Sequence, residues 1–178
     1  LTLDTPLTEV NVHIKGGSIL TLQDAKMTTA ESRDTPFTLV TALCQHGKAH
    51  GTLFRDDGIN MMDKSDEGTQ VNYSAEMISK EGKRKETSTS IVITSEVVSD
   101  AYAKDEIKYI IITAVSGLPD ASSLNNIHTK LVINKDSKTV LTHQDDCKIT
   151  ALASGALKLE FNGLDFNVNK NWSLEVSY

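Results

Sequence analysis

The sequence predicts an all-β chain, an antiparallel β-sandwich preceded by a few strands of a smaller β-unit. Three observations carry that expectation. Apolar residues alternate with polar ones in many short runs, turn residues separate those runs, and no stretch holds a 3.6-residue apolar stripe. Strands at this spacing point to a sandwich or barrel-like architecture. With 178 residues, 39% of them apolar, the chain has enough to close a core. It is long enough for one ordinary domain or two small ones.

The elements follow in order. Val10, Val12 and Ile14 alternate with Asn11, His13 and Lys15, as in a half-buried strand. Gly16-Gly17 lets the chain turn tightly, and Ser18–Leu22 resumes the alternation. Residues 24–34 are polar and hold a short helical turn at most. Further strands are expected at Phe37–Cys44, Gly51–Phe54, Gln70–Ile78, Ser90–Val98, Ile107–Val115 and Lys130–Asn134. Thr139–Thr142, Ile149–Leu152, Ala156–Phe161 and Trp172–Tyr178 complete the set. The expected inner face includes Leu39, Leu53, Val92, Ile110, Ile112, Leu131, Leu159 and Val176. Turns are expected at Arg55-Asp56-Asp57-Gly58, at Asn134–Ser137 and at Asn162-Gly163, the last a type I′ signal. Lys80–Glu86 is a charge run that reads as a solvated hairpin loop.

Composition excludes several classes. Lys plus Arg is 18 against 24 Asp plus Glu, a net charge of −6. No basic nucleic-acid footprint or polybasic membrane patch is expected, and no apolar run is long enough for a spanning helix. Residue 1 is Leu and no signal peptide follows. The chain therefore reads as an internal piece, a processed subunit or one part of something larger.

The residues offer no complete catalytic constellation. Asp56-Asp57 is the most tempting carboxylate pair, but adjacent residues at a strand end point apart, whereas glycoside hydrolysis needs two carboxyls facing across a bond. A turn role is expected, with a cation site as the lesser reading. His46 and His50 have helical metal spacing but lie in a two-glycine loop and lack further ligands, so no metal is expected. Cys44 and Cys147 are either two buried thiols or a mutual disulfide, the latter only outside the cytosol. Asn72-Tyr73-Ser74 and Asn171-Trp172-Ser173 are acceptor triplets for N-glycosylation. Two of them mildly favour the secretory pathway. No Gly-rich phosphate loop, Gly-x-Ser-x-Gly elbow or Cys-x-x-Cys pair occurs, and no cofactor is implied.

One segment is similar to a known family. Val10-Asn-Val-His-Ile-Lys-Gly-Gly-Ser-Ile-Leu-Thr-Leu-Gln23 resembles glycoside hydrolase family 31, in particular the eukaryotic lysosomal and intestinal type of α-glucosidase. The likeness continues through Met27–Arg33, Pro36 and Phe37 and ends at Gly51-Thr-Leu-Phe-Arg-Asp-Asp-Gly58. Lys15, Thr21 and Arg55 depart from the pattern, which more often has Arg, Pro and an aromatic residue there. The resemblance implies residues 1–27 at the end of a proximal C-terminal β-domain and residues 28–178 as a distal β-sandwich. It also implies retaining hydrolysis of terminal α-linked glucose by two aspartates on an upstream (β/α)8 barrel, so none of the catalytic or substrate-binding residues falls here. The expected partner is that barrel, as a separate or cleaved chain, through which alone an α-glucan would be met. The expected location is secretory, lysosomal or vacuolar, or extracellular. Ile14, Lys15, Gly16, Gly17 and Arg33 are the candidates for the seam, Arg33 as a bidentate donor to carboxylates across it. The other class of reading is a stand-alone carbohydrate-binding or lectin-like sandwich. The few aromatic residues, 1 Trp, 4 Tyr and 4 Phe, and the core-like phase of Phe37, Phe54 and Phe161 weigh against it.

Overall fold

The computed structural model describes residues 4–8, 10–59, 68–81, 87–101, 109–116, 128–133, 137–139, 147–151, 157–161 and 170–177. Eleven strands and one short helix are described. They are β1 (Ser18–Gln23), α1 (Thr29–Arg33), β2 (Phe37–Ala42), β3 (Lys48–Arg55), β4 (Thr69–Glu81) and β5 (Thr87–Asp100). There follow β6 (Tyr109–Ser116), β7 (His128–Ile133), β8 (Ser137–Thr139), β9 (Cys147–Ala151), β10 (Leu157–Phe161) and β11 (Trp172–Ser177). The all-β class is as the alternation predicts. The strands join one curled sheet in the order β8-β7-β11-β5-β4-β3-β1-β2-β6-β10-β9. A twisted sheet this wide does not stay flat.

The sheet is mixed, not wholly antiparallel. β2 and β6 run parallel from Phe37↔Tyr109 to Ala42↔Val115, and β1 meets β3 in parallel at Ser18↔His50. Both parallel contacts come from strands returning to an edge that the local hairpins leave open. β3, β4 and β5 build outward on one side of β1 by antiparallel pairing, and β6 later takes the free edge of β2.

β1 lies inside this sheet. Ser18–Gln23 pairs antiparallel with all of β2 on one edge and touches β3 on the other. The crossing is made at Gly16-Gly17, beneath the tight β2–β3 turn. Gly17 N–H donates to Ala42 O at 2.7 Å and His50 N–H to Gly17 O at 3.0 Å. Gly17 has φ +94°, and a Cβ on Gly16 would stand 3.2 Å from Leu43 O. Glycine is therefore required twice here by close approach and handedness.

Val10, Val12 and Ile14, expected in a strand, are irregular and exposed by 87%, 83% and 42%. Alternation gives a strand only where an edge is available to pair with, and this segment pairs with none among the described residues.

The core lies on one face of β2, β3, β4, β5 and β11. Leu39, Val71, Ile91, Ile93, Leu174 and Val176 are fully buried, and Tyr73 packs at 6.4 Å between centroids from Trp172. Of the expected inner-face residues, Leu39, Leu53 and Val176 are buried. Val92 is half-buried on the opposite face, because Ile91 and Ile93 take the inner positions. In a run of three apolar residues the period does not fix the phase, and a shift by one residue exchanges faces. The side chains of Ile110, Ile112, Leu131 and Leu159 lie outside the described residues, as do the Asn134–Lys135–Asp136, Asn162-Gly163 and 82–86 turn segments.

Candidate functional site

Where β3 ends, the side chains of two separate expectations meet. Both carboxylates of the Asp56-Asp57 pair fold back on the chain. Asp56 Oδ1 accepts from Gly58 N at 2.9 Å, and Asp57 Oδ1 accepts from Ile59 N at 3.0 Å. These are local Asx turns, the alternative that short acidic side chains offer a chain leaving a strand. Gly58 completes the bend at φ +70°.

Arg33 arrives from α1. That helix begins at Thr28, whose hydroxyl accepts from Glu31 N at 3.2 Å. Its exit is held by β1, since Gln23 Nε2 donates to Arg33 O at 3.1 Å and to Thr35 O at 2.7 Å. The guanidinium donates from Nη2 to Asp56 O and, at 3.0 Å, to Asp56 Oδ1. A Cβ on Gly58 would come within 2.8 Å of Arg33 Cζ. Arg33, read as a donor across a domain seam, is thus committed to a carboxylate and a carbonyl of its own chain. The ion pair is about one-third exposed on both sides, so solvent screens it.

Beside this clamp lies a cleft of about 220 Å³ between Thr21, Gln23, Phe54, Arg55 and the Arg33–Asp56 pair. Arg55 lies 5.6 Å from the centre of the buried Phe37 ring, a cation–π distance. Phe54, expected in core phase, points to the other face and is 47% exposed.

The remaining candidates stay apart. His46 is exposed in the β2–β3 turn, and His50 is exposed on β3 itself rather than in a loop. No group of three metal-ligating side chains occurs among the described residues. Cys44 is a half-buried free thiol, and Cys147 begins β9, three strands from β2. The disulfide offered as one reading of the pair is not formed. The N–H groups of Lys48 and His46 around the thiol hold its pKa below the ordinary cysteine range. Asn72 is half-buried within β4, while Asn171 is exposed just before β11. Ile14, Lys15 and Gly16 are exposed, and Gly17 is half-buried at the start of β1.

Sequence reasoning missed one contributor, Gln23, which ties β1 to the helix exit and which no local pattern signals. Gly58, read as a turn residue, also makes room for the guanidinium.

The described strands thus carry an acidic turn whose carboxylates are committed to its own backbone and to Arg33. No protein-family model matches the chain. Curated relatives nonetheless include an α-glucosidase of Hordeum vulgare, 39% identical over 102 residues, or 57% of this chain and 11% of that protein. The lysosomal α-glucosidase of Rattus norvegicus is 50% identical over 58 residues, 33% of this chain and 6% of its own length. Glucoamylase 1 of Schwanniomyces occidentalis is 48% identical over 61 residues, 34% of this chain and 6% of that protein. Over the matched stretches the chain is homologous to family 31 α-glucosidases. It spans about a tenth or less of these relatives. Among solved structures, a glucosidase II α subunit superposes with a TM-score of 0.65 over 97% of this chain and 18% of its own, at 16% identity. That likeness extends the shared fold over nearly all the chain.

Proposed function

We propose that this chain is the non-catalytic C-terminal β-portion of a family 31 α-glucosidase. In this reading the whole enzyme releases terminal α-linked glucose from maltose, maltooligosaccharides, starch or glycogen by a retaining mechanism. The catalytic aspartates belong to a (β/α)8 barrel outside these 178 residues. The division expected between residues 1–27 and 28–178 falls in the polar stretch between β1 and α1, and the pairing of β1 with β2 joins the two parts in one sheet.

The observation that carries the reading is the scale of the likeness. Identities of 39 to 50% to two α-glucosidases and a glucoamylase are confined to stretches that make 6 to 11% of those enzymes. The chemistry of the acidic turn agrees. Retaining hydrolysis needs a nucleophile and an acid/base on opposite sides of one glycosidic bond, and Asp56 and Asp57 spend carboxylate oxygens on their own turn.

The role of the piece is to buttress the barrel. The exposed Val10, Val12 and Ile14 are the residues that gain most from a partner surface, and a seam between domains of one chain commonly buries about 600–1,500 Å². Lysosomal and endoplasmic-reticulum glucosidases among the relatives and structural neighbours favour a compartment of the secretory pathway.

The test is kinetic. The chain alone is expected to leave maltose intact, and the whole enzyme with Asp56→Asn or Asp57→Asn is expected to keep its kcat, with first-formed product of α configuration. Ile14→Asp in the whole enzyme is expected to lower Tm or block assembly while the Michaelis constant of surviving enzyme stays the same. Maltose hydrolysis by the chain alone, lost in Asp56→Asn, would overturn the assignment. Normal melting of Ile14→Asp with much weaker maltose binding would make the segment part of the substrate site.

A further inference from the structure

From the geometry at the start of β11 we infer that Asn171 is the N-glycosylated residue of this chain and that Asn72 is not. The inference rests on the secretory-pathway placement proposed above. Both residues open an Asn-x-Ser triplet, so the triplets alone do not separate them.

The surroundings do. Asn171 is exposed and lies outside the sheet, immediately before β11. Its Oδ1 accepts from the Val97 N–H of β5 at 2.7 Å. The stem around it is held as well: Ser95 Oγ donates to Lys170 O at 3.0 Å and accepts from Trp172 N–H at 3.1 Å. The amide is therefore anchored through its oxygen, on a fixed backbone, and its nitrogen makes no hydrogen bond to the described residues of the sheet. A glycan is attached through that nitrogen. Nδ2 displaces the diphosphate of a lipid-linked sugar donor at the anomeric carbon. The N–C bond forms, the C–O bond to diphosphate breaks with its electron pair leaving on the diphosphate, and the amide gives up one proton. One N–H remains, and the Oδ1 bond to Val97 is untouched.

Asn72 sits differently. It is half-buried within β4, paired on both edges, directly opposite Thr52 of β3 and Glu96 of β5. A sugar there would start between two flanking side chains on a face made of closely spaced strands.

The experiment expresses the whole enzyme in a eukaryotic host behind a supplied signal peptide. Purified enzyme is treated with the amidase that removes N-glycans and converts the attachment Asn to Asp, and its peptides are mapped by mass. The expected result is Asp at position 171, Asn at position 72, and a lower mass of the untreated protein in Asn171→Asp. That variant keeps the oxygen that accepts from Val97 and loses the nitrogen. Ser173→Ala removes the triplet with Asn171 in place and is expected to give the same lower mass. Secreted enzyme bare at Asn171, or modified at Asn72 alone, overturns the inference. α-Glucosidase activity of the same sample is read separately. Active enzyme bare at Asn171 fails the modification only, and modified but inactive enzyme fails the functional assignment only.

Discussion

The opening segment and the β4–β5–β11 region share one sequence pattern and have opposite fates. Val10, Val12 and Ile14 alternate as cleanly as Val71, Tyr73 and Ala75. The first three are exposed by 42 to 87%, and the second three by no more than 2%. The difference is pairing. β4 has β3 on one edge and β5 on the other, so its backbone groups are satisfied and its apolar face meets other apolar faces. The opening segment has no such neighbour among the described residues, and Asn11 Nδ2 ties it only locally, to Asp4 O at 3.2 Å. Alternation thus states what a segment buries once paired, and the partner must come from elsewhere.

The sharpest way to break this comparison is to place the same change in both regions. Leu174 is fully buried on β11, and Leu174→Ala is expected to cost about 2–5 kcal/mol, the range for large-to-small core changes. Ile93→Asp should prevent folding, since it buries an unpaired carboxylate. Val12→Asp in the isolated chain is expected to move stability by less than about 0.5 kcal/mol, as exposed positions do. Urea unfolding midpoints measure all three. Equal costs for Val12→Asp and Leu174→Ala would show that the opening segment is packed within this chain.

A smaller effect is expected at the junction of the two regions. A Cβ on Gly51 would overlap the Ile19 carbonyl oxygen and stand 2.8 Å from Ile19 Cβ. Gly51→Ala should push β1 and β3 apart and cost about 1–3 kcal/mol, as overpacking does. Hydrogen exchange would locate the damage. The expected result is faster exchange at His50 N–H, which bonds Gly17 O, with protection in β5 retained.

Much of this was legible in the sequence, and the exceptions have physical reasons. Every strand of the described sheet overlaps a run expected from alternation, and α1 falls inside the polar stretch where one helical turn was expected. The phase of Ser90–Val98 was not legible, because Ile91, Val92 and Ile93 are all apolar and only the neighbouring strands decide which face is inner. Strand direction was not legible either. The parallel β2–β6 contact joins residues about 70 positions apart, and nothing local encodes such a pairing. Asp56, Asp57 and Gly58 were readable as a turn because their conformational preferences act within three residues. That Arg33 would close on that turn was not, because it reaches Asp56 across 23 positions.

The clamp offers a finer comparison. Arg33→Ala is expected to destabilise by about 1 kcal/mol, since a one-third-exposed pair is screened and only its hydrogen bonds add to it. Gly58→Ala should cost about 1–3 kcal/mol through its positive φ and its approach to the guanidinium. The two should be less than additive, because removing Arg33 removes the clash while leaving the φ strain. Full additivity in thermal melts would show that the arginine does not lie over the glycine.

The smallest expected effect is at Cys44, where the opening segment enters the sheet. A Cβ on Gly17 would stand 3.5 Å from Cys44 Cβ, so the thiol reports on that crossing. The N–H groups of Lys48, then of His46, point at the sulfur and favour the thiolate, which lowers the pKa. A lowered pKa means more thiolate at any pH below the ordinary cysteine range. Alkylation of Cys44, in a Cys147→Ser background, should therefore rise at lower pH in the folded chain than in urea, where the N–H groups disperse. The sign for stability follows from linkage. A group whose folded pKa is depressed contributes above its unfolded pKa and loses that contribution as pH falls through the folded value, and exposure keeps the contribution small. Replacing Gly17 by Ala strains the φ of +94° and should shift the alkylation curve back toward its urea position. Identical curves in the folded and unfolded chain would mean that the turn does not hold its amides on the sulfur, and that the opening segment is as loosely joined to the sheet as its exposed valines are to everything else.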